Sequence, residues 1–232
     1  MRRGLIVLAA AVSLAIAAVA GYEYGFVRVN YPSHDEFPVR GIDVSRYQGV
    51  IDWPRVAAAG VHFAFIKATE GGDLRDPRFG DNWHGAAAAD VVRGAYHFFT
   101  FCTPGALQAA NLIDVVPREP DALPPAVDVE FSGNCKRWES LDAIRRELTV
   151  FLEAVEVAYG VKPIVYFTRE SHEQLLDRHI DGYRTWARSL FGRPRARFGR
   201  WAFWQYAHNG RVPGIDGLVD LNVFDGSLDE LR

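Results

Sequence analysis

An α/β barrel, irregular and with a degenerate last third, is the fold class this sequence predicts. From Gly41 onward, short β-rich runs alternate with amphipathic stretches, as parallel βαβ units do. After about Asp181 the strands follow one another with few or no helices between them. A chain of 232 residues, about half of them apolar, is long enough to close one such domain around a substantial core. The reading divides the chain into an export segment at residues 1–20, a lead-in at 21–40 and a barrel at 41–232.

The first segment has a positive end, Met1-Arg2-Arg3, followed by a charge-free apolar run from Leu5 to Ala20. Ala18-Val19-Ala20 offers a small-x-small cleavage site before Gly21, which reads as a secretory signal. An uncleaved anchor, with membrane attachment through residues 4–20, is the alternative, although a spanning helix needs roughly 20 apolar residues. Either reading places the barrel outside the cytoplasm, periplasmic or secreted. The formal net charge of −3 argues against nucleic acid as a partner, since that needs clustered Lys and Arg. Tyr22 to Arg40 is polar and aromatic, fit for a linker or for packing against the barrel base. A monomer is expected.

The barrel elements follow in order. Candidate strands are Gly41–Ser45, Phe63–Ala68, Arg93–Phe99, Ala126–Phe131, Ile164–Phe167, Thr185–Arg188, Phe203–Tyr206 and Val219–Val223. Candidate helices are Trp53–Ala59, Phe79–Ala89, Pro104–Val115, Leu141–Tyr159 and Glu170–Arg178. Thr103-Pro104 reads as an N-cap with proline in the first turn. Ser140 reads as the cap of the longest helix, where Leu141, Ile144, Leu148, Phe151, Leu152 and Val155 recur at helical spacing. Gly160 supplies its stop.

The chemistry concentrates in Ala126-Val127-Asp128-Val129-Glu130-Phe131. In a strand, residues i and i+2 share a face, so Asp128 and Glu130 point one way while Val127, Val129 and Phe131 point the other. Two neighbouring carboxylates repel, which pushes one towards holding its proton. A glycosidase needs that division: an acid for the leaving oxygen and an ionised partner for the charge at the anomeric carbon. Two solvated acids at a strand end is the plainer alternative. Asp43 and Asp220, each in another short strand, weigh against it, because a closed barrel would bring first and last strands together. A metal site is the rival explanation of four acids, but such sites usually recruit His. His97 alternates with Tyr96 and so faces away. No metal and no cofactor are expected. The two cysteines, Cys102 and Cys135, read as one disulfide in an exported chain; two isolated small hydrophobes is the alternative. The 6 Trp, 9 Tyr and 15 Phe suit a cleft that stacks on sugar rings as well as a core.

Gly41-Ile42-Asp43-Val44-Ser45, Gln48-Gly49 and Ile51-Asp52-Trp53 resemble the opening motif of the family 25 glycoside hydrolases, the Chalaropsis-type lysozymes. Phe65 to Gly71, Asp76-Pro77 with Phe79 and Asn82-Trp83, Arg93 to Phe99, and Val127 to Glu130 continue the resemblance in order. Trp204-Gln205-Tyr206, Val212 to Ile215 and Val219 to Asn222 complete it, so it spans roughly Arg40 to Phe224. The resemblance implies an irregular barrel of eight strands and five helices. It implies hydrolysis of the β-1,4 bond after N-acetylmuramic acid in peptidoglycan strands, without a cofactor. It also implies that Glu130 is the general acid/base, Asp128 its partner, and Asp43 and Asp220 the other acids at the mouth. Same-face strand neighbours lie about 6.5–7 Å apart at Cα, which leaves both direct attack by Asp128 and a substrate-assisted route open. Lys67, Tyr96, Phe98 and Tyr166 are assigned to the sugar-binding surface, with barrel core the alternative for the aromatics, Phe98 above all. Gln205 is a candidate for hydrogen bonds to sugar hydroxyls. Cys102 and Cys135 each follow an active-site strand, so a bridge between them would fix two loops at the cleft. Activity on another acetamido polysaccharide such as chitin, or glycan binding without catalysis, are the competing functions.

Overall fold

The computed structural model describes residues 2–232, with side chains from residue 11 onward. Eight strands close into a barrel and a ninth hangs outside it. In chain order they are β1 (Arg40–Val44), β2 (Phe63–Glu70), β3 (Leu74–Arg75), β4 (Val92–Phe98), β5 (Ala126–Val129), β6 (Ile164–Phe167), β7 (Thr185–Arg188), β8 (Phe203–Gly210) and β9 (Val219–Phe224). β1, β2 and β4 to β8 pair in parallel around the wall except where β9 intervenes between β8 and β1, antiparallel to both. The barrel closes through the parallel pair β1–β2. β3 is a two-residue hairpin partner of β2 that the sequence pattern does not announce.

Two apolar layers hold the wall, and strand alternation sorts residues between them. Ile42, Ala64, Ile66, Ala95, Val127, Val129, Val165 and Phe167 face outward and pack under the helices. Phe63, Phe65, Tyr166, Trp186, Phe203 and Phe224 fill the interior. A Cβ on Gly41 would meet the Phe63 ring at 2.4 Å, so that position leaves room for the interior aromatic.

The helices are α1 (Arg2–Glu23), α2 (Trp53–Ala58), α3 (Phe79–Ala88), α4 (Gly105–Val115), α5 (Leu141–Tyr159), α6 (Arg169–Ser171) and α7 (Leu228–Leu231). α5 follows its sequence signals: Ser140 Oγ accepts from Ala143 N at 3.1 Å, and Gly160 ends the helix at φ 70°. Its buried stripe of Ile144, Leu148, Phe151, Leu152 and Val155 anchors it to the wall, each large side chain contributing about 1.5–3 kcal/mol. α4 departs from expectation. Thr103 makes no capping hydrogen bond, Pro104 occupies the cap itself, and Gly105 N–H donates to Glu147 Oε2 at 2.7 Å. The segment expected as one helix at Glu170–Arg178 is instead a single α turn, a widened turn over His172–Leu176 and a 3-10 turn over Asp177–Ile180. Asp177 sits at φ 21° in the break between the last two.

Met1 and the side chains of residues 2–10 lie outside the described part, so much of the signal motif is untouched by these observations. Among the described residues no helix is long and apolar enough to cross a membrane, and the anchor reading gains no support. The lead-in packs on the barrel. Phe37 is buried against Trp201 and Trp204, Asn30 Nδ2 donates to the Ser189 carbonyl at 3.0 Å, and the Tyr22 ring meets His208 and Phe191.

The α4–α5 contact tests this packing. A Cβ on Gly105 would lie 1.8 Å from the Glu147 carbonyl oxygen, whereas one on Gly80, in α3, meets nothing within 4 Å. Gly105→Ala is expected to destabilise by about 1–3 kcal/mol, and Gly80→Ala to stabilise by up to about 1 kcal/mol. Urea denaturation midpoints of the two variants check both signs.

Candidate active site

Asp43, Lys67, Tyr96, Phe98, Asp128, Glu130, Tyr166, Gln205 and Asp220 all line one cavity of about 360 Å³. It opens at the C-terminal ends of the parallel strands, where barrel proteins assemble their chemistry. Asp220 arrives differently from the rest. It stands near the start of β9, and because β9 runs antiparallel that start lies at the same mouth. Asp43 and Asp220 are register partners across the β1–β9 pair. Glu130 lies one residue beyond β5, which ends at Val129 rather than Phe131.

The acids differ in what surrounds them. Asp43 is 7% exposed, and its Oδ2 accepts from Asn222 Nδ2 at 2.8 Å and Gln205 Nε2 at 2.9 Å. Burial raises its pKa, while these two donors and Asp220 pull it back down. Burial and the charge on Asp43 push Asp220 well above the usual carboxylate range. Asp128 is raised well above that range by burial, then by Glu130 and Asp43, and its Oδ1 has no protein hydrogen-bond partner. Glu130 is raised by burial, against the opposing fields of Arg188 and Lys67. Four clustered carboxyls therefore favour shared protons over four charges.

Several neighbours have structural work of their own. Gln205 is 4% exposed; its amide nitrogen serves Asp43 and its Oε1 accepts from the Tyr166 hydroxyl at 3.0 Å. Both ends of that amide are engaged inside the protein, while the residue still lines the cavity. Lys67 pairs with Glu70 at 2.6 Å and lies over the Phe98 ring at 5.1 Å. His97 points away from the mouth, held by Thr69 and Gln108 and stacked on Phe151.

Sequence pattern alone does not single out Arg188, Trp186, Asn222, Asn134 or Tyr47. Trp186 forms the floor of the cavity, stacked 4.3 Å from Phe65, and its indole N–H donates to Asn222 Oδ1 at 2.8 Å. Arg188 shares the inward face of β7 with Trp186, so alternation was the signal available for both. Tyr47 is 76% exposed on the turn after β1, an aromatic at the rim. Asn134 Nδ2 donates to the carbonyls of Phe99 and Glu130, and its Oδ1 accepts from Phe101 N and Cys135 N.

Cys102 and Cys135 are bonded, with Cα atoms 6.0 Å apart. Together with Asn134 the bridge joins the loops after β4 and β5. Among the described residues no group of His, Cys, Asp and Glu is arranged to hold a metal. A larger cavity of about 840 Å³ lies at the opposite barrel end, around Thr185, Ala202 and Phe224; its acids, Asp177, Asp181, Asp225 and Glu230, are all exposed and stand among Arg178, Arg184, Arg197 and Arg200.

Residues 42–215 match the sequence profile of glycosyl hydrolases family 25. The chain belongs to that family. It is a glycoside hydrolase with the family's barrel. Lysozyme M1 of Streptomyces globisporus is 35% identical over 214 residues, covering 85% of this chain and 71% of the relative. YegX of Escherichia coli K12 is 37% identical over 202 residues, covering 84% and 73%. A family 25 glycosyl hydrolase from Bacillus anthracis superimposes with a TM-score of 0.82 at 37% identity, covering 89% of this chain and 97% of that one. The bacterial lysozyme from Streptomyces coelicolor gives 0.76 at 32% identity, covering 83% and 94%.

The raised carboxyls carry a stability cost with a definite sign. A group whose folded pKa exceeds its unfolded value, about 4 for Asp, binds more protons when folded, so its contribution falls as pH rises from there through the folded value. Asp220→Asn is expected to raise the denaturation midpoint at pH 7 and to flatten its decline between pH 4 and 7, read by urea titrations across that window. The bridge acts oppositely. Its 33-residue separation corresponds to roughly 3–4 kcal/mol of chain-entropy stabilisation, so Cys102→Ser with Cys135→Ser should lose that amount, measured under non-reducing conditions.

Proposed function

We propose that this glycoside hydrolase is an exported, monomeric peptidoglycan muramidase that cleaves the β-1,4 bond between N-acetylmuramic acid and N-acetylglucosamine with retention. The pairing of Asp128 and Glu130 above an anchored Asp43, in a cleft of family 25 geometry, carries this reading. The kinship with Lysozyme M1 supports the substrate class. The disulfide suits an oxidising compartment outside the cytoplasm.

Glu130 is the general acid/base. Burial raises its pKa, which favours its holding a proton, and it is the acid of the pair nearer the loop beyond β5. It protonates the glycosidic oxygen as the bond to the leaving sugar breaks. The 2-acetamido oxygen of the muramic residue attacks the anomeric carbon and closes a cyclic intermediate. Asp128 holds the amide N–H through its unpartnered Oδ1. The positive charge developing beside it favours its ionised form over the protonated one that burial and Glu130 favour before substrate binds. Glu130 then takes a proton from water, which opens the ring with the original anomeric configuration. Asp43 and Asp220 hold a proton between them and set the field on the pair. Gln205, Tyr166, Asn222 and Trp186 position Asp43 through their hydrogen-bond chain. Tyr96, Phe98 and Lys67 shape the cleft wall, and Tyr47 is placed for a sugar ring to stack on its exposed face.

Mass spectrometry of products from purified peptidoglycan tests the substrate. Wild type should leave muramic acid at the new reducing end, and Glu130→Gln should lower turnover by about 10²–10⁴-fold with the fold intact by circular dichroism. Release of glucosamine reducing ends, or equal turnover by both proteins, would overturn the assignment. Preference for chitin oligomers would move it to another acetamido polysaccharide.

A further inference from the structure

A second groove, of about 500 Å³, adjoins the catalytic cavity, and the two share Ser132 and Arg188 as lining residues. Its charge is opposite to that of the cleft. Four arginines, at 169, 188, 193 and 195, line it against a single acid, Glu170, in a chain whose net charge is −3. Two of the arginines are neutralised within the protein: Arg193 pairs with Glu36 at 2.7 Å and Arg169 with Glu173 at 3.1 Å. Arg188 and Arg195 have no ion-pair partner among the described residues. The groove thus offers one guanidinium clear of any acid, Arg195 on the loop after β7, and a second, Arg188, at its junction with the catalytic carboxyls, whose charges it already opposes. Phe191, 79% exposed, supplies an apolar edge beside them.

We infer that this groove binds the carboxylate-bearing peptide stem of the muramic residue undergoing cleavage. The inference rests on the muramidase reading of the neighbouring site. A muramic ring held at Asp128 and Glu130 carries a lactyl ether from which the stem branches, and the branch must leave the cleft sideways through a continuous channel. The stem bears free carboxylates, which guanidinium groups recognise bidentately. The groove, of about 500 Å³, meets the cleft at Ser132 and Arg188, so a branch leaving the ring on that side would enter it directly.

The test separates stem recognition from catalysis. Soluble glycan fragments with stems, and the same fragments stripped by an amidase (which keep the lactyl carboxylate), are titrated calorimetrically into Glu130→Gln protein. Arg195→Ala and Arg195→Glu are made in that background and in the active enzyme. For stem-bearing fragments, Arg195→Ala is expected to raise Kd about tenfold and Arg195→Glu further, with stripped fragments changed less than twofold. In the active enzyme, KM for stem-bearing glycan rises in parallel while kcat and the melting temperature hold. Unchanged Kd for stem-bearing fragments, or equal losses on both, would overturn the groove assignment. Stem-dependent, Arg195-dependent binding by a wild-type protein that cleaves neither fragment would leave the groove standing and remove the muramidase reading.

Discussion

Everything at the mouth depends on the seam between the first and last barrel strands. Asp43 and Asp220 face each other there only because β9 inserts antiparallel between β8 and β1. Neither acid would tolerate that contact in isolation, since two buried carboxylates side by side repel. The seam resolves the conflict by giving the two acids unequal company. Asp43 receives two amide donors, whereas Asp220 receives mainly enclosure and a charged neighbour. Protons are thereby distributed before any substrate arrives.

The amide donors extend that ordering into the floor. Trp186 holds Asn222, Tyr166 holds Gln205, and both amides converge on one oxygen of Asp43. Because Trp186 also stacks on Phe65, the polar chain is continuous with the interior aromatic layer. Rigidity at the site is therefore supplied by the same packing that closes the barrel. On the other side, Asn134 grips the Glu130 carbonyl and the β4 loop, next to the bridge between Cys102 and Cys135. The acid beyond the strand end is fixed by side-chain amide and covalent contacts in place of ladder bonds.

The sequence was most informative where a period or a cap has one physical meaning. Alternation around Asp128 separates the inward acids from outward Val127 and Val129, and the α5 stripe with Ser140 and Gly160 needs no tertiary information. It was least informative where the outcome turns on long-range contact. Thr103 looks like a cap, yet α4 starts against the backbone of α5 and takes its first donor's partner from Glu147. The Glu170–Arg178 segment has helical composition but breaks at Asp177, and Arg145 of α5 takes up the carbonyls of Gln174 and Leu175. Gln205 reads as a free polar group between two aromatics; only the closed barrel shows both its ends occupied. Arg188 sits in a four-residue strand with no neighbouring motif, and its meaning comes from the acids that other strands deliver opposite it.

The reversed direction of β9 also determines how the barrel can be joined to other polypeptides. Having delivered Asp220 at the mouth, the strand runs down to Phe224, and α7 follows with Leu231 buried in the aromatic interior layer at the base. The last residues therefore emerge from the closed end of the barrel. The lead-in behaves in the opposite way, laying Tyr22 and Asn30 against His208 and Ser189 beside the open end. A cargo fused after Arg232 would hang below the barrel and leave the cleft clear. One fused ahead of Tyr22 would sit at the rim, in competition with whatever enters, whereas β1 itself begins at the base, where Arg40 pairs with Val223.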